Sequence, residues 1–432
     1  MKLAFARAPA QGHSKPAFFY GWYIVGVGFL SYLVCSFNLS STLSVFVKPL
    51  TEDLGVSRGM FSLLRTGEII IGGAVAPLIG PLVDRYSGRW LIVIGALAAG
   101  AGFLLLSQVE EFWQFLLLRL GLVTIGGALM CSMVVTVTIS RWFVRKRGRA
   151  IAIASLGQGV AKVGIPLLAA SLFVWLGWRQ TWAIFGILTL ALVVGPALIF
   201  MRSPEEMDLE PDGAPMSYRN GVPGAEAKPL TSERPGIVAD RMWSRAEVLR
   251  TQPFWLITIT FGVVNVGIVG LNLHVFSYIS DIGYPAMVAA TVMSIIAFSQ
   301  LSSTFFWGLL AERGDIRKTT MLMFLIQSSG LSLAITTADI FPIYAGFFLY
   351  GIGLGGGQVL QEVIWANYFG RLSLGRVRGL GMLVTNFFAA GGAPFFGFLF
   401  DLTRSYLLSF ALFTLALIVS AFLILLVRPP QK

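Results

Sequence analysis

Apolar runs of about 18 or more residues recur along this chain, and each is long enough to cross roughly 30 Å of hydrocarbon. Twelve can be marked, at 22–47, 59–83, 89–108, 112–138, 149–175, 180–201, 253–278, 286–311, 319–338, 341–367, 378–401 and 406–427. Strands of a membrane barrel would read as short alternating segments. These runs do not alternate, so the spans are helices. With 56% hydrophobic and only 12% charged residues, the chain has too little charge to cover a water-facing surface. The expected fold class is an all-α membrane protein of twelve transmembrane helices in two pseudo-symmetric six-helix halves, with the lipid bilayer as solvent.

The formal charge of +11 invites a nucleic-acid reading, but its distribution argues for topology instead. With both termini on one side, 25 of the 32 Lys and Arg residues fall in the termini and the even-numbered loops. Lys48, Arg58, Arg179 and Arg404 fall in odd-numbered loops, and Arg65, Arg119 and Lys162 fall within spans. This bias follows the positive-inside rule. It places a multi-pass protein in the cytoplasmic (inner or plasma) membrane with both termini cytoplasmic and no nucleic-acid partner. Residues 1–20 carry scattered charge without an apolar core, so no cleavable signal is expected. Cys35 and Cys131 lie in different spans, and neither a disulfide nor a metal site follows. No cofactor is expected.

The one long polar stretch holds Pro204, Pro211, Pro215, Pro223, Pro229 and Pro235 among mixed charges. It reads as a linker, with a short amphipathic helix near "WSRAEVLR". The expected organisation is therefore a cytoplasmic N-terminus (1–21), a first half (22–201), a linker (202–252), a second half (253–427) and a C-terminal tail (428–432). The halves repeat at an offset of 228: Asp53 maps to Asp281, Gly55 to Gly283, Gly80 to Gly308, Arg89 to Arg317, Gly127 to Gly355, Gly164 to Gly392 and Pro166 to Pro394. Trp178 and Trp182 map to Tyr406 and Phe410. Two such halves imply a binding site between them near midplane, with alternating access by rocking.

"GPLVDRYSGR" (80–89) and its copy "GLLAERGDIRK" (308–318) resemble the loop motif of the major facilitator superfamily. The resemblance covers essentially the whole chain. It implies conformational-switch loops in which Gly80 and Gly308 let helices approach. Asp84, Arg85 and Arg89, with Glu312, Arg313 and Arg317, would make contacts that hold one access state. A narrower likeness lies in "WFVRKRGRAIAIASLGQG" (142–159), which resembles the fifth-helix motif of the monocarboxylate porter branch through Phe143, Arg145, Lys146, Arg147, Ala150, Ala154 and Gly157. "YGWYIV" resembles the start of span 1 in that branch and in the oxalate/formate antiporters. The anion-binding charges of those relatives do not carry over. The eighth span (286–311) has no Arg or Lys, 379–401 has no Lys, and Ser41 stands where the animal porters' first-helix lysine would fall.

The polar groups inside the spans are then the candidates. Gly157, Ala161 and Gly164 form a small-residue stripe on helix 5, while Ser155, Gln158, Lys162 and Pro166 share another face. Lys162 lies about 20 Å from the helix's cytoplasmic start. It reads as the receptor of a carboxylate, with a paired structural lysine or a snorkelling one as the alternatives. Arg65 and Glu68 can pair at i,i+3, and Arg119 joins them at similar depth, leaving one positive charge. That cluster reads as proton coupling or gating, or as a neutralised structural group. Glu362, on an arc of helix 10 with Gln358, Gln361 and Trp365, reads as a proton carrier or an inner gate. Asn265, Asn272, Gln358 and Asn386 suit hydrogen bonds to substrate. His274, near the other end of span 7, reads as structural.

The expected function is a secondary active transporter for a small organic anion, a mono- or dicarboxylate, by proton symport or anion exchange. Its partners would be that solute and protons or a counter-anion, and its working unit a monomer. Three intramembrane cations against Glu68 and Glu362 leave +1, which a monoanion would neutralise. The alternatives are an exporter of amphipathic compounds or a transport-inactive sensor. No nucleophile–base set or metal cluster suggests an enzyme.

Overall fold

The computed structural model describes residues 19–143, 146–201, 207, 244–369 and 374–428. The expected N-terminal segment before residue 19, most of the linker and the last four residues lie outside them. Within them the chain is helical. The helices are α1 (Gly21–Cys35), α2 (Ser40–Asp53), α3 (Arg58–Arg85), α4 (Gly88–Leu106), α5 (Phe112–Leu118), α6 (Thr124–Met130), α7 (Ser132–Trp142), α8 (Arg147–Thr189) and α9 (Gly195–Phe200). After the linker come α10 (Arg245–Leu249), α11 (Gln252–Asp281), α12 (Ala286–Arg313), α13 (Ile316–Ile335), α14 (Ile340–Phe369), α15 (Leu374–Thr403) and α16 (Leu407–Leu423).

Nine stretches among the described residues are both long and apolar enough to cross a membrane. One of them, Arg149–Phe200, contains two spans that turn at Gly177, whose φ of 80° suits glycine. The more polar α3 and α13 complete the expected twelve. The short α10 falls on the "WSRAEVLR" segment, where Ser244 and Glu247 form a reciprocal capping box.

The repeat is visible in matching turns. α2 and α11 each end at an aspartate, followed by Gly55 (φ 64°) and Gly283 (φ 98°). Val56 N–H donates to Thr51 O, and Tyr284 N–H to Ile279 O, the same closure 228 residues apart. Between the halves α3 packs on α15, α8 on α12, and α2 on α11. The first two contacts exchange under a pseudo-twofold, as the repeat requires. The ends of the bundle are called here odd and even, after the loops that lie there.

Three spans depart from a single regular helix. The first, expected as one run over 22–47, breaks after a 3₁₀ turn at Ser36–Asn38. Leu39 is extended (ψ 154°), and α2 then continues to Asp53. The fourth contains a π-helical turn at Arg119–Val123 and a second break at Cys131. Thr124 donates from Oγ1 to the Arg119 carbonyl at 2.8 Å, closing the π turn. A further π turn occupies Leu190–Val194 in the sixth span.

The small-residue stripe of helix 5 is only partly a packing surface. A Cβ on Gly157 would meet the Phe29 carbonyl oxygen at 2.2 Å, and Ala161 is buried. Among the described residues nothing lies within 4 Å of a Cβ position on Gly164, so they do not pack on it. At its repeat partner Gly392 a Cβ would meet the Val266 carbonyl oxygen at 2.2 Å. The close approach of spans 1 and 5 thus uses Gly157 where that of spans 7 and 11 uses Gly392, so the 228 offset slips here.

Candidate functional site

The break in the first span opens the site. A cavity of ≈230 Å³ lies between the halves, with Leu39, Ser40, Ser41, Arg65 and Lys162 on one side and Asn272 and Gln300 among apolar residues on the other. α2 starts at the cavity wall without a side-chain cap. Thr42 and Leu43 N–H both donate to Leu39 O, leaving the earlier amides of the turn facing the cavity end. A helix N-terminus here presents donors and positive dipole to whatever occupies the space. Lys162 projects from α8 into the same space. Among the described residues it makes no ion pair or hydrogen bond.

The expected cluster on spans 2 and 4 is present. Glu68 is buried, accepting from Arg65 Nη1 at 2.8 Å and from Arg119 Nε and Nη2 at 2.9 and 2.6 Å. Arg119 is fully buried, its guanidinium 5.4 Å from the centre of the Trp182 ring. Both carboxylate oxygens are therefore occupied, and one guanidinium charge is left over. Arg65 lines the cavity and Arg119 stands behind it. Arg65 Nε and Arg119 Nη1 are buried without partners.

The second-half candidates divide. Asn272 joins Lys162, whereas Asn265, Gln358 and Asn386 line an adjoining cavity of ≈500 Å³. Ile268, Gln300 and Leu354 line both cavities, so the two spaces are neighbours. Gln158 is half-buried and lines neither. Thr258, seven residues before Asn265 on α11, is fully buried. Ser302 lies in an apolar groove with Phe306 and Phe348 instead of facing either cavity.

Glu362 does not meet Lys162. It accepts from Arg378 Nε at 2.9 Å, a residue at the even end of α15 outside the sequence argument. This corrects the charge count. With Glu362 neutralised by Arg378, the remaining intramembrane groups are Lys162, Arg65 and Arg119 against Glu68, a formal +2 beside the cavity.

The odd end is sealed by contacts that sequence reasoning did not assemble. Arg58, at the start of α3, forms a two-pronged pair with Asp281 at the end of α11, and Lys48 adds a second cation at 3.5 Å. Asp401, near the end of α15, caps α3 by accepting from Arg58 N and Gly59 N at 3.2 and 2.9 Å. The Arg58 guanidinium also lies 4.0 Å over the Phe400 ring and donates to Tyr406 Oη. Beneath it His274 is fully buried, so the structural reading of that residue gains a place: the seam between the halves. Its Nε2 is 3.2 Å from the Ala393 carbonyl, which only accepts. Nε2 therefore carries the proton, and Nδ1 accepts from Tyr406 Oη at 3.0 Å. Deeper contacts continue the seam, from Thr66 Oγ1 to Ala390 O and from Ser294 Oγ to Val163 O.

The side chains of Gly80, Asp84, Arg85 and Glu312 lie outside the described residues. Among the described residues nothing lies within 4 Å of a Cβ position on Gly308, so they make no close approach there. Arg317 pairs with Asp315 at 3.0 Å, and Asp315 caps α13 by accepting from Arg317 N–H. The Arg317 guanidinium, with the backbone N–H as a lesser contribution, holds the Asp315 carboxyl below the usual carboxylate range. Arg89 stacks 5.5 Å from Trp90, and Arg313 is exposed. Arg141, not among the candidates, donates to Val83 O at 2.8 Å near the even end of α3.

Two six-helix halves, closed at one end around a cationic cavity, define a membrane carrier. The chain matches the family model of the Major Facilitator Superfamily over residues 28–313, more than half its length, and it belongs to that superfamily. Monocarboxylate transporter 13 of Rattus norvegicus is 25% identical over 403 residues, covering 90% of this chain and 85% of the relative. Monocarboxylate transporter 3 of the same organism is 25% identical over 411 residues, covering 94% and 79%. A bacterial homolog of the human lysosomal transporter Spinster, solved in an inward-facing and occupied conformation, superposes with a TM-score of 0.76. It is 16% identical, with 95% of this chain and 97% of that chain covered. The chain is thus a multi-pass transporter similar to the monocarboxylate branch.

Proposed function

We propose that this carrier moves a small carboxylate, and that Lys162 receives it. The observation that carries the reading is an ammonium without a protein partner, in a cavity between the halves that it shares with Arg65 and the open start of α2. An intramembrane charge is retained where it has work to do or a partner to meet. Here the described residues supply no partner, and the surrounding field is positive. The excess positive charge beside the cavity favours an anionic solute over a cationic amphipathic drug. The formal +2 accommodates a mono- or dicarboxylate. The names of the curated relatives support the same substrate class.

Both acids within the described spans, Glu68 and Glu362, are engaged by arginines in this state. That favours exchange against a counter-anion over proton symport. The basic even-numbered loops put the even end and both termini in the cytoplasm of a cell whose plasma or inner membrane holds the protein, so the sealed odd end faces outward. The residue divisions 22–201 and 253–427 act as the two rocking halves of one monomer.

Proteoliposomes of purified protein test this. Saturable uptake of a carboxylate panel is expected in the wild type, lost in Lys162→Ala while the variant keeps its monodisperse elution profile. Trans-loading with a carboxylate should accelerate uptake more than an inward proton gradient does. Equal uptake by wild type and Lys162→Ala would move substrate binding to Arg65 and Arg119. Absence of carboxylate uptake by the wild type would sink the reading and leave an exporter or a sensor.

A further inference from the structure

The cavity adjoining the cationic one has a different chemistry. Its wall carries the carboxamides of Asn265, Gln300, Gln358, Gln361 and Asn386, contributed by α11, α12, α14 and α15. Among the described residues none of the five side chains has a hydrogen-bond partner in the protein. The charged groups on this wall, Glu362 and Arg378, are joined through Arg378 Nε. The cavity therefore offers neutral groups that both donate and accept, directly beside a site that offers positive charge.

From this arrangement we infer that the substrate is a polyhydroxylated carboxylate, with its carboxylate at Lys162 and its hydroxyl-bearing chain along the carboxamide wall. The inference rests on the carboxylate reading above and adds the other end of the molecule. A carboxamide has a carbonyl acceptor and two N–H donors, and a hydroxyl has one donor and two acceptor positions, so each can meet the other in either direction. An aliphatic tail in the same place would displace water from five amides without replacing its hydrogen bonds, and unmade bonds are penalised more than made ones are rewarded. A site built to bond hydroxyls accordingly rejects the analogue that lacks them, while an apolar pocket discriminates weakly against an added hydroxyl. Both walls also carry apolar side chains, Phe261, Phe324 and Met382 among them in the larger cavity, and the difference lies in the number of amides. Apolar side chains such as Met293 and Ile296 surround the cationic cavity, and the amides are gathered in its neighbour. Gln300, which lines both, marks the position where the first hydroxyl beyond the carboxylate would sit.

Gluconate and hexanoate make the comparison, because both are six-carbon monoanions and differ in hydroxyl content. Uptake of each into proteoliposomes, with sorbitol as the uncharged polyol, is measured for the wild type, Asn265→Leu and Asn386→Leu. The half-saturation concentration is expected to be roughly 100-fold lower for gluconate than for hexanoate, with no sorbitol uptake. Each leucine variant should narrow that ratio by weakening gluconate uptake while sparing hexanoate, a selective effect that a folding defect would not produce. Hexanoate transported as well as gluconate would overturn the inference and leave the carboxylate reading standing. The same ratio in both variants as in the wild type would overturn the role given to the carboxamides. Uptake of sorbitol alone, or of none of the three, would overturn the inference together with the carboxylate reading.

Discussion

Glu68 shows how a single acid sets the character of this interior. It lies between two guanidiniums, one lining the cavity and one fully buried, and its removal would leave both cations facing each other in a low-dielectric space. Breaking a buried pair from one side costs on the order of 3–5 kcal/mol, because the remaining charge keeps its desolvation penalty. Glu68→Gln is therefore expected to lower the midpoint of thermal unfolding in detergent sharply. Arg65→Gln should cost much less, since Arg65 is 20% exposed and Glu68 keeps its two bonds from Arg119. Equal midpoints for the two variants would show that the cluster does not bear on stability. The i,i+3 spacing made the Arg65–Glu68 contact legible in the sequence, as the depth of Arg119 made its approach legible. The partner of Glu362 was not legible, because Arg378 lies at the edge of a different span and only the packing of α14 near α15 brings them together.

The candidate site forms where helices depart from regularity, at Ser36–Leu39 and at Arg119–Val123. The twelve runs were readable because apolar length alone specifies a span. The break at Ser36–Leu39 was not, because a few polar residues within an apolar run read as tolerated polar positions. Nor was the π turn at Arg119–Val123, which inserts one residue into the helical ladder and turns the following face by about 100°. A regular helix would place Arg119 and Gly126 on one face. After the π turn Arg119 meets α3, while Gly126 packs against Gly95 and Ala99 of α4. Glycine spacing likewise cannot tell a contact from an opening, and two positions on α8 separate the cases. Gly157→Ala would force a Cβ to 2.2 Å from the Phe29 carbonyl and push spans 1 and 5 apart, so a clear loss of thermal stability is expected. Gly164→Ala meets nothing and should be neutral or stabilising by about 0.5–1 kcal/mol through helix propensity. Thermal shifts of the purified variants decide this, and a destabilising Gly164→Ala would mean that the residue is packed in another access state.

The two halves use equivalent aspartates differently, and that asymmetry specifies how the carrier closes. Asp53, in the first half, pairs with Arg179 of its own half at 2.8 Å. Its repeat partner Asp281 instead takes Arg58 and Lys48 from the opposite half. One copy of a repeated turn thus staples its own half, and the other joins the two. Arg58 concentrates the closure, because the same side chain pairs with Asp281, donates to Tyr406 and stacks on Phe400, while its backbone N–H is capped by Asp401. All of these partners are in the second half, so rocking that opens the odd end must break them together. Arg58→Ala removes the pair and the stack but leaves the helix cap, since that contact comes from the backbone. The access equilibrium should then shift toward the odd-open state without loss of the fold. Ser41, at the start of α2, reports this as Ser41→Cys in a Cys35→Ala, Cys131→Ala background, because it lines the cavity that the seal covers. A membrane-impermeant maleimide applied to intact cells is expected to label that cysteine several-fold faster when Arg58→Ala is present, and carboxylate should slow the labelling by occupying the cavity. An unchanged labelling rate in Arg58→Ala would mean that the deeper seam at His274, Thr66 and Ser294 holds the odd end shut without the surface latch.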